Sequence, residues 1–417
     1  MKRKSGFRLI ELLLVIVALN AGCSDAGNKK SNTMEKEYAT GTYGYDADFF
    51  VKNKIGTLHL RDTISGASVL VVPAWQGRVM TSTSGGDDGK SYGWINYKHI
   101  SSGQLSNQFN PYGGEERIWL GPEGGPFSIY FKKGDEQVFS NWKVPAELDT
   151  DAFDIVSRTA VSADFRKDFN LTNAAGTTLE VGIERKIKLM DQHEAEQALG
   201  TSLDKSLSFV AYETENTLIN KGSNDWNRES GFLSVWMLGM FNPSESGVVF
   251  IPFKPAAGKV ISDDYFGKVP ADRLIVRENI LFFSVDGKQR SKIGISPEGA
   301  LPYAGSYDPE NKSLTILWFT LPEEKMAYVN SKWGKQDDPL KGDAVNSYND
   351  GPVDDGSIMG PFYELESSSP AALLTSGGRI THTQRTFHIT GEEELLNPIT
   401  EKLFGVTIEE IRNIFKE

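Results

Sequence analysis

The sequence predicts an all-β fold of packed antiparallel sheets, and three observations carry that prediction. Short runs rich in β-branched and aromatic residues follow one another from about Ala39 to Gly391. Gly, Asp, Asn and Pro punctuate them at turn positions. No amphipathic helix of real length is expected before the C-terminus, so strands succeed strands and a βαβ arrangement is disfavoured.

In chain order, "GTLHLRD" and "ASVLVVPA" alternate or run apolar, with "TISG" between them as a turn. "FSIYFKKG", "LEVGIERKIKL", "LSFVAYETENTLI", "RLIVRENILFFSVD", "KSLTILWFTL" and "RITHTQRTFHITG" continue the pattern as predicted strands. No short fixed repeat runs through them, which argues against a propeller or solenoid. The tail differs. In "VTIEEIRNIF", Thr407 and Glu410 have the spacing of a capping box, and Ile408, Ile411 and Phe415 fall on one helical face. A helical tail over 393–417 is therefore expected, packed on the sheets or offered to a partner.

The chain has 417 residues, 39% of them hydrophobic, enough for a folded body with a sizeable core. A formal net charge of -12, with no basic stripe, sets it against nucleic-acid phosphates, so no nucleic-acid partner is expected. The one cysteine, Cys23, ends "MKRKSGFRLIELLLVIVALNAGC". Lys2, Arg3 and Lys4 precede an apolar run, and small residues lead to the cysteine. Residues 1–23 thus read as a lipoprotein-type signal with Cys23 lipidated, 24–38 as a solvated linker and 39–392 as the β domain. Glu11 leaves two rivals open: a type IV pilin-like leader cut after Gly6, or a plain anchor. All three place the folded part outside the cytoplasm, with a core but no disulfides; the lipoprotein reading puts it in the cell envelope, in the periplasm or at the outer membrane, on a lipid anchor in the membrane.

The loops offer little conventional chemistry. "SGGDDGKS" lacks the first glycine of a phosphate-binding loop and reads as a hairpin turn. Asp337, Asp338, Asp343, Asp350, Asp354 and Asp355 cluster in one polar stretch, as calcium favours, although without EF-hand spacing; a solvated acidic loop is the alternative. The five histidines lack zinc spacing, and no nucleophile elbow is present. Carboxylate and imidazole chemistry remains. In "PFYELESSSPA", strand alternation puts Glu364 and Glu366 on one face, roughly 7 Å apart. In "THTQRTFHI", His382, Gln384, Thr386 and His388 share a face, expected to be an exposed polar one, with the two histidines roughly 20 Å apart.

"VVPAWQGRVMTST", "YGGEERIWLGPEGG", "YETENTLINKG" and "YELESSSPAALLTSGGRITHTQRTFH", in that order, resemble segments of the aldose 1-epimerase (galactose mutarotase-like) superfamily. "GDAVNSYNDGP" and "GPFYELESSSP" resemble an uncharacterised bacterial lipoprotein branch. The resemblance implies a β-supersandwich with a carbohydrate ligand in a groove and no cofactor. It implies that Glu366 is a general base on an anomeric hydroxyl and that Glu364 supports it. The family's mid-chain histidine acid has no counterpart in "NTLINKGSNDWNRESGF", so His382 is the acid expected in its place, with His99 and His388 as further candidates. Arg117, Glu116, Arg78, Asn349, His99 and His388 are the expected sugar contacts. Trp119 is either a stacking wall or a core residue, and Arg117 either contacts sugar or pairs with Glu123. Sugar isomerisation, sugar binding without catalysis, and glycoside cleavage all remain open; the last is disfavoured because Glu364 and Glu366 lie on one strand.

Overall fold

The computed structural model describes residues 36–353 and 356–416. Cys23, the signal-like segment and most of the proposed linker lie outside the described residues, as do Asp354 and Asp355. Three antiparallel sheets form the body from Tyr38 onward. The largest runs, edge to edge, through Leu274–Val276, Ile280–Ser284, Val248–Pro252, Tyr303–Asp308, Ser313–Phe319, Arg379–Thr390, Ser208–Asn220, Thr178–Leu189, Ser162–Thr172 and Asp154–Arg158. A six-stranded sheet runs through Ile261–Ser262, Ser291–Ile295, Val345–Asn349, Tyr363–Ser368, Ser234–Phe241 and Arg117–Gly121. Leu58–Arg61, Ser68–Val72 and Arg78–Thr83 make the third.

Period-two alternation sorts the large sheet into two faces. Val249, Ile251, Phe283, Leu317 and Phe319 pack on Ile293, Ile295, Val345, Tyr363 and Leu365 of the six-stranded sheet. The intervening residues Val248, Phe250, Phe282, Leu314 and Ile316 pack outward on the helices Gln192–Leu199, Glu393–Phe404 and Ile408–Asn413. Each large side chain buried this way contributes about 1.5–3 kcal/mol, so both faces of the strand sandwich are stabilised at once. The tail is therefore a packing element, and both halves of its capping box are formed, Thr407 to Glu410 and back.

Two expectations fail locally. "FSIYFKKG" is not a strand: Phe127–Phe131 is irregular, and its rings fill core positions from a loop. Its apolar alternation reflects burial alone, which a loop can also provide. A ten-residue helix, Tyr43–Lys52, precedes the first strand and is N-capped by Thr42. Its apolar face, Tyr43 and Phe50, covers the three-stranded sheet at Leu70, Val72 and Met80.

Candidate functional site

The outward face of the six-stranded sheet carries the polar cluster that matters. Across the strands, Arg117 lies opposite Leu238, Leu238 opposite Glu366, Glu366 opposite Asn346 and Asn346 opposite Gly294. One step along, Met240, Glu364, Tyr348 and Lys292 form the next row. The ion pairs run diagonally between the rows: Arg117 donates to Glu364 at 3.0 Å, and Lys292 donates to Glu366 at 2.8 Å. Trp236 Nε1 donates to the same Glu366 oxygen at 2.8 Å.

Glycine makes room at the edge of this cluster. A Cβ on Gly294 would lie 2.1 Å from an Asp343 carboxylate oxygen, so only glycine lets that carboxylate sit over the sheet. Asp343 takes hydrogen bonds from Tyr265 and Ser262, and Tyr265 accepts from Asn346 at 3.2 Å. The Lys292 side chain keeps 12% exposure, and Glu123, Tyr265 and Asp343 are half-buried, so solvent reaches the rim of the cluster while Arg117, Glu364 and Glu366 are buried beneath it.

Several atoms here have no protein partner. Glu366 Oε1 is one; Nε and Nη1 of Arg117 are two more. The Arg117 guanidinium lies 4.2 Å from the Trp119 ring centroid and 5.0 Å from that of Phe109, against two rings that meet edge to face. Buried donors and acceptors are normally satisfied, and leaving one unmade costs about 1–3 kcal/mol. Burial pushes the Glu364 carboxyl up to about 7; Arg117 opposes the rise and the charge of Glu366 adds to it. Burial likewise pushes Glu123 up to about 7 against Lys292, with Glu366 again adding to the rise.

The residues singled out from sequence divide between this face and the interior. Glu364, Glu366 and Arg117 come together. Trp119 joins them as a floor under Arg117 rather than an open wall, since it is buried, donates to the Leu148 carbonyl at 3.1 Å and packs against Trp236. Arg117 pairs with Glu364, not with Glu123.

His382 does not reach Glu366. It lies between the sheets, where Nε2 meets Ser367 Oγ at 2.7 Å, and alternation points Ser367 away from Glu366 on the same strand. Burial lowers its pKa to about 3, which leaves a neutral ring. Gln384, Thr386 and His388 share that face as expected, but the face is fully buried, because the six-stranded sheet covers it. His388 pairs with Glu115 at 3.2 Å and Thr315 at 2.9 Å. Glu116 pairs with Arg185 at 2.8 Å and Gln384 at 2.7 Å. Asn349 is interior too, accepting from Gly287 N at 2.9 Å and donating to Gln289 O at 3.0 Å, which fixes a turn. Arg78 is buried, donates to Gly113 O at 3.2 Å and lies beside the Tyr112 ring. His99 holds Asn110 at 3.2 Å.

The stretch "NPYGGEERIWLGPEGG" thus serves both sides. Glu115 and Glu116 enter the inter-sheet network, while Arg117 and Glu123 turn outward. Gly113 permits the turn: its φ is +91°, and a Cβ there would meet the Trp94 carbonyl oxygen at 2.1 Å. Lys292, Trp236, Asn346 and Tyr348 escaped the sequence reading, and Asp343 reads from the sequence only as part of an acidic loop. Period two in "AVNSYND" would have placed Asn346 and Tyr348 together. Lys292 gave no signal, since one Lys in a short strand reads as solvated.

The acidic stretch does not converge. Asp343 is bound to Tyr265, and Asp350 accepts from Tyr348 at 2.9 Å and Gly360 N at 2.9 Å. Among the described residues, no group of three or more His, Cys, Asp or Glu is placed to hold a metal ion. Among the described residues, no helix is long and apolar enough to cross a membrane.

Solved structures of similar outline include a protein from Synechocystis sp. PCC 6803, at 12% identity, covering 81% of this chain and 96% of that one, with a TM-score of 0.48. A galactose mutarotase-like protein from Lactobacillus casei is 11% identical, covers 80% of this chain and 100% of its own, and has a TM-score of 0.45. A galactose mutarotase-like protein from Clostridium acetobutylicum is 12% identical, covers 80% and 98%, and has a TM-score of 0.44. No curated protein matches the chain. The model of the Family of unknown function (DUF6786) matches residues 41–415, and the chain belongs to that family.

Proposed function

We propose that this protein handles a carbohydrate on the outward face of its six-stranded sheet, as an exported protein tethered to the cell envelope through Cys23. One observation carries the site assignment: Glu366 Oε1 and two Arg117 nitrogens are buried without protein partners in a cluster whose rim solvent reaches. A ligand with adjacent hydroxyls supplies a donor for the first and acceptors for the others. The sequence resemblance to the aldose 1-epimerase superfamily names the ligand class.

The same geometry supports anomer interconversion. Glu366, oriented by Lys292 and Trp236, accepts the anomeric hydroxyl proton. Glu364, pushed up to about 7, gives a proton to the ring oxygen as the C1–O bond to it breaks. The open aldehyde turns, and the two transfers run backwards as the ring recloses. This assigns the acid role to Glu364 in place of His382. The test is anomer exchange over a panel of aldoses, followed by NMR. Glu366→Gln should lower the exchange rate at least ~100-fold, and an unchanged rate removes Glu366 from the mechanism.

A second reading is sugar capture without catalysis. It is favoured by the position of the five histidines, all in the described body and none on this face: His59, His99, His382 and His388 have the partners Tyr43, Asn110, Ser367 and Glu115, and His193 lies on the outer helix Gln192–Leu199. Binding with no change in anomer exchange identifies that case. Tethering is tested by palmitate labelling of the wild type and of Cys23→Ala.

A further inference from the structure

Resting on the carbohydrate reading, we infer that the ligand is an oligosaccharide, with one unit at Glu364 and Glu366 and the following units lying along the rings of Trp333 and Phe139. Three aromatic side chains from two loops form a row that leads away from the cluster. Trp333 comes first: it follows Ser331, whose hydroxyl accepts from Glu123 N, its side chain is near enough to lower the Glu123 pKa, and it is 36% exposed. Its ring centroid is 6.2 Å from that of Trp142, with planes 25° apart. Trp142 is in turn 6.0 Å from Phe139, with planes 19° apart. Phe139, at the outer end, is 61% exposed.

One exposed ring is ordinary on a protein surface. This row differs in being held rigid and in carrying a spare polar atom. Gln137 Oε1 accepts from Gly125 N at 2.8 Å and Gly334 N at 2.6 Å, which staples the two loops together. Ser331 Oγ accepts from Glu123 N at 3.2 Å, and Gln336 Nε2 donates to the Lys332 carbonyl at 2.6 Å. The rings are thus pre-positioned, and a ligand need not spend binding energy on ordering them. Midway along the row, Trp142 Nε1 is buried and has no protein acceptor.

The chemistry of the strip selects the occupant. The exposed residues Glu136, Ser140 and Asn141 flank Phe139, and Lys335 lies beyond Trp333. Lys332 is engaged with Asp264 at 3.0 Å. Two exposed rings and the neighbouring Val138, set among polar residues, offer a few contacts and not the roughly 20–30 residues per side of a stable protein interface. The strip suits a chain of flat units whose C–H faces meet the exposed Trp333 and Phe139 rings and whose hydroxyl edges meet the flanking polar residues.

The test is calorimetric titration of the full chain with malto-, cello-, xylo-, manno- and galacto-oligosaccharides of one to six units. For the series that binds, affinity should rise at least tenfold between one unit and four. Phe139→Ser, a change at an exposed position, should abolish that rise and leave the single-unit affinity within twofold. A length-independent affinity, or a rise that survives Phe139→Ser, overturns the inference and leaves the carbohydrate reading standing. Failure of every series at every length overturns both.

Discussion

Two polar clusters sit on opposite faces of the same strand, Tyr363–Ser368, and they are finished to different degrees. In the interior, every charged side-chain atom of Arg185, Glu116 and Glu115 has a partner: Gly77 O, Asn216, Gln384, Ser82 and His388 complete them. On the outward face, Arg117 uses one nitrogen of three and Glu366 one oxygen of two. Closing a buried network rigidifies a fold. Leaving one open costs about 1–3 kcal/mol for each unmade bond, and that is what supports the binding site proposed above. The interior is less tidy at its margin, where His382 Nδ1 and Thr386 Oγ1 also lack partners; both flank the Ser367 contact without carrying charge.

The comparison is tested hardest by removing one charge from each cluster. Arg185→Met leaves Glu116 buried and unpaired and should cost about 3–5 kcal/mol, read by urea unfolding. Arg117→Met should cost clearly less, because Glu364 takes up a proton near neutral pH, while sugar binding is lost. Equal losses of stability would erase the distinction between the faces. Next in size, the two faces respond to pH with opposite sign. The raised Glu364 pKa means the folded form holds a proton that the unfolded chain has released, so stability falls as pH rises from 4.5 to about 7. The lowered His382 pKa means the unfolded chain binds a proton that the folded form refuses, so stability falls as pH drops from 6.5 toward about 3. Each slope is about 1.4 kcal/mol per pH unit at most. His382→Leu should expose the first slope and Glu364→Gln the second, measured as unfolding midpoints across pH 3–8. The smallest effect is expected from Ser367→Ala, which removes the hydroxyl bridging His382 and Gln384 at a cost of about 1 kcal/mol. Ligand binding should not change, since Ser367 faces away from the site.

Much of the strand content was legible because burial on alternate positions leaves a period of two in the sequence. Glu364 and Glu366 were paired correctly by the same rule, and the capping box of the tail was visible as Thr407 and Glu410. The loop Phe127–Phe131 misled because a buried loop is as apolar as a strand. His382 and His388 misled because polar residues on one strand face read as solvated, whether water or another sheet lies over them.

By itself, then, the chain determined its sheet-forming segments, the shared face of the two glutamates and the helical end, all of which depend on neighbours within a few residues. Which face meets solvent, that Lys292 from a strand some seventy residues away reaches Glu366, and that Arg117 sits crosswise on Glu364 were decided only by the tertiary fold. Those facts follow from sheet order and register, and register is set by packing between strands distant in sequence, which local patterns do not record.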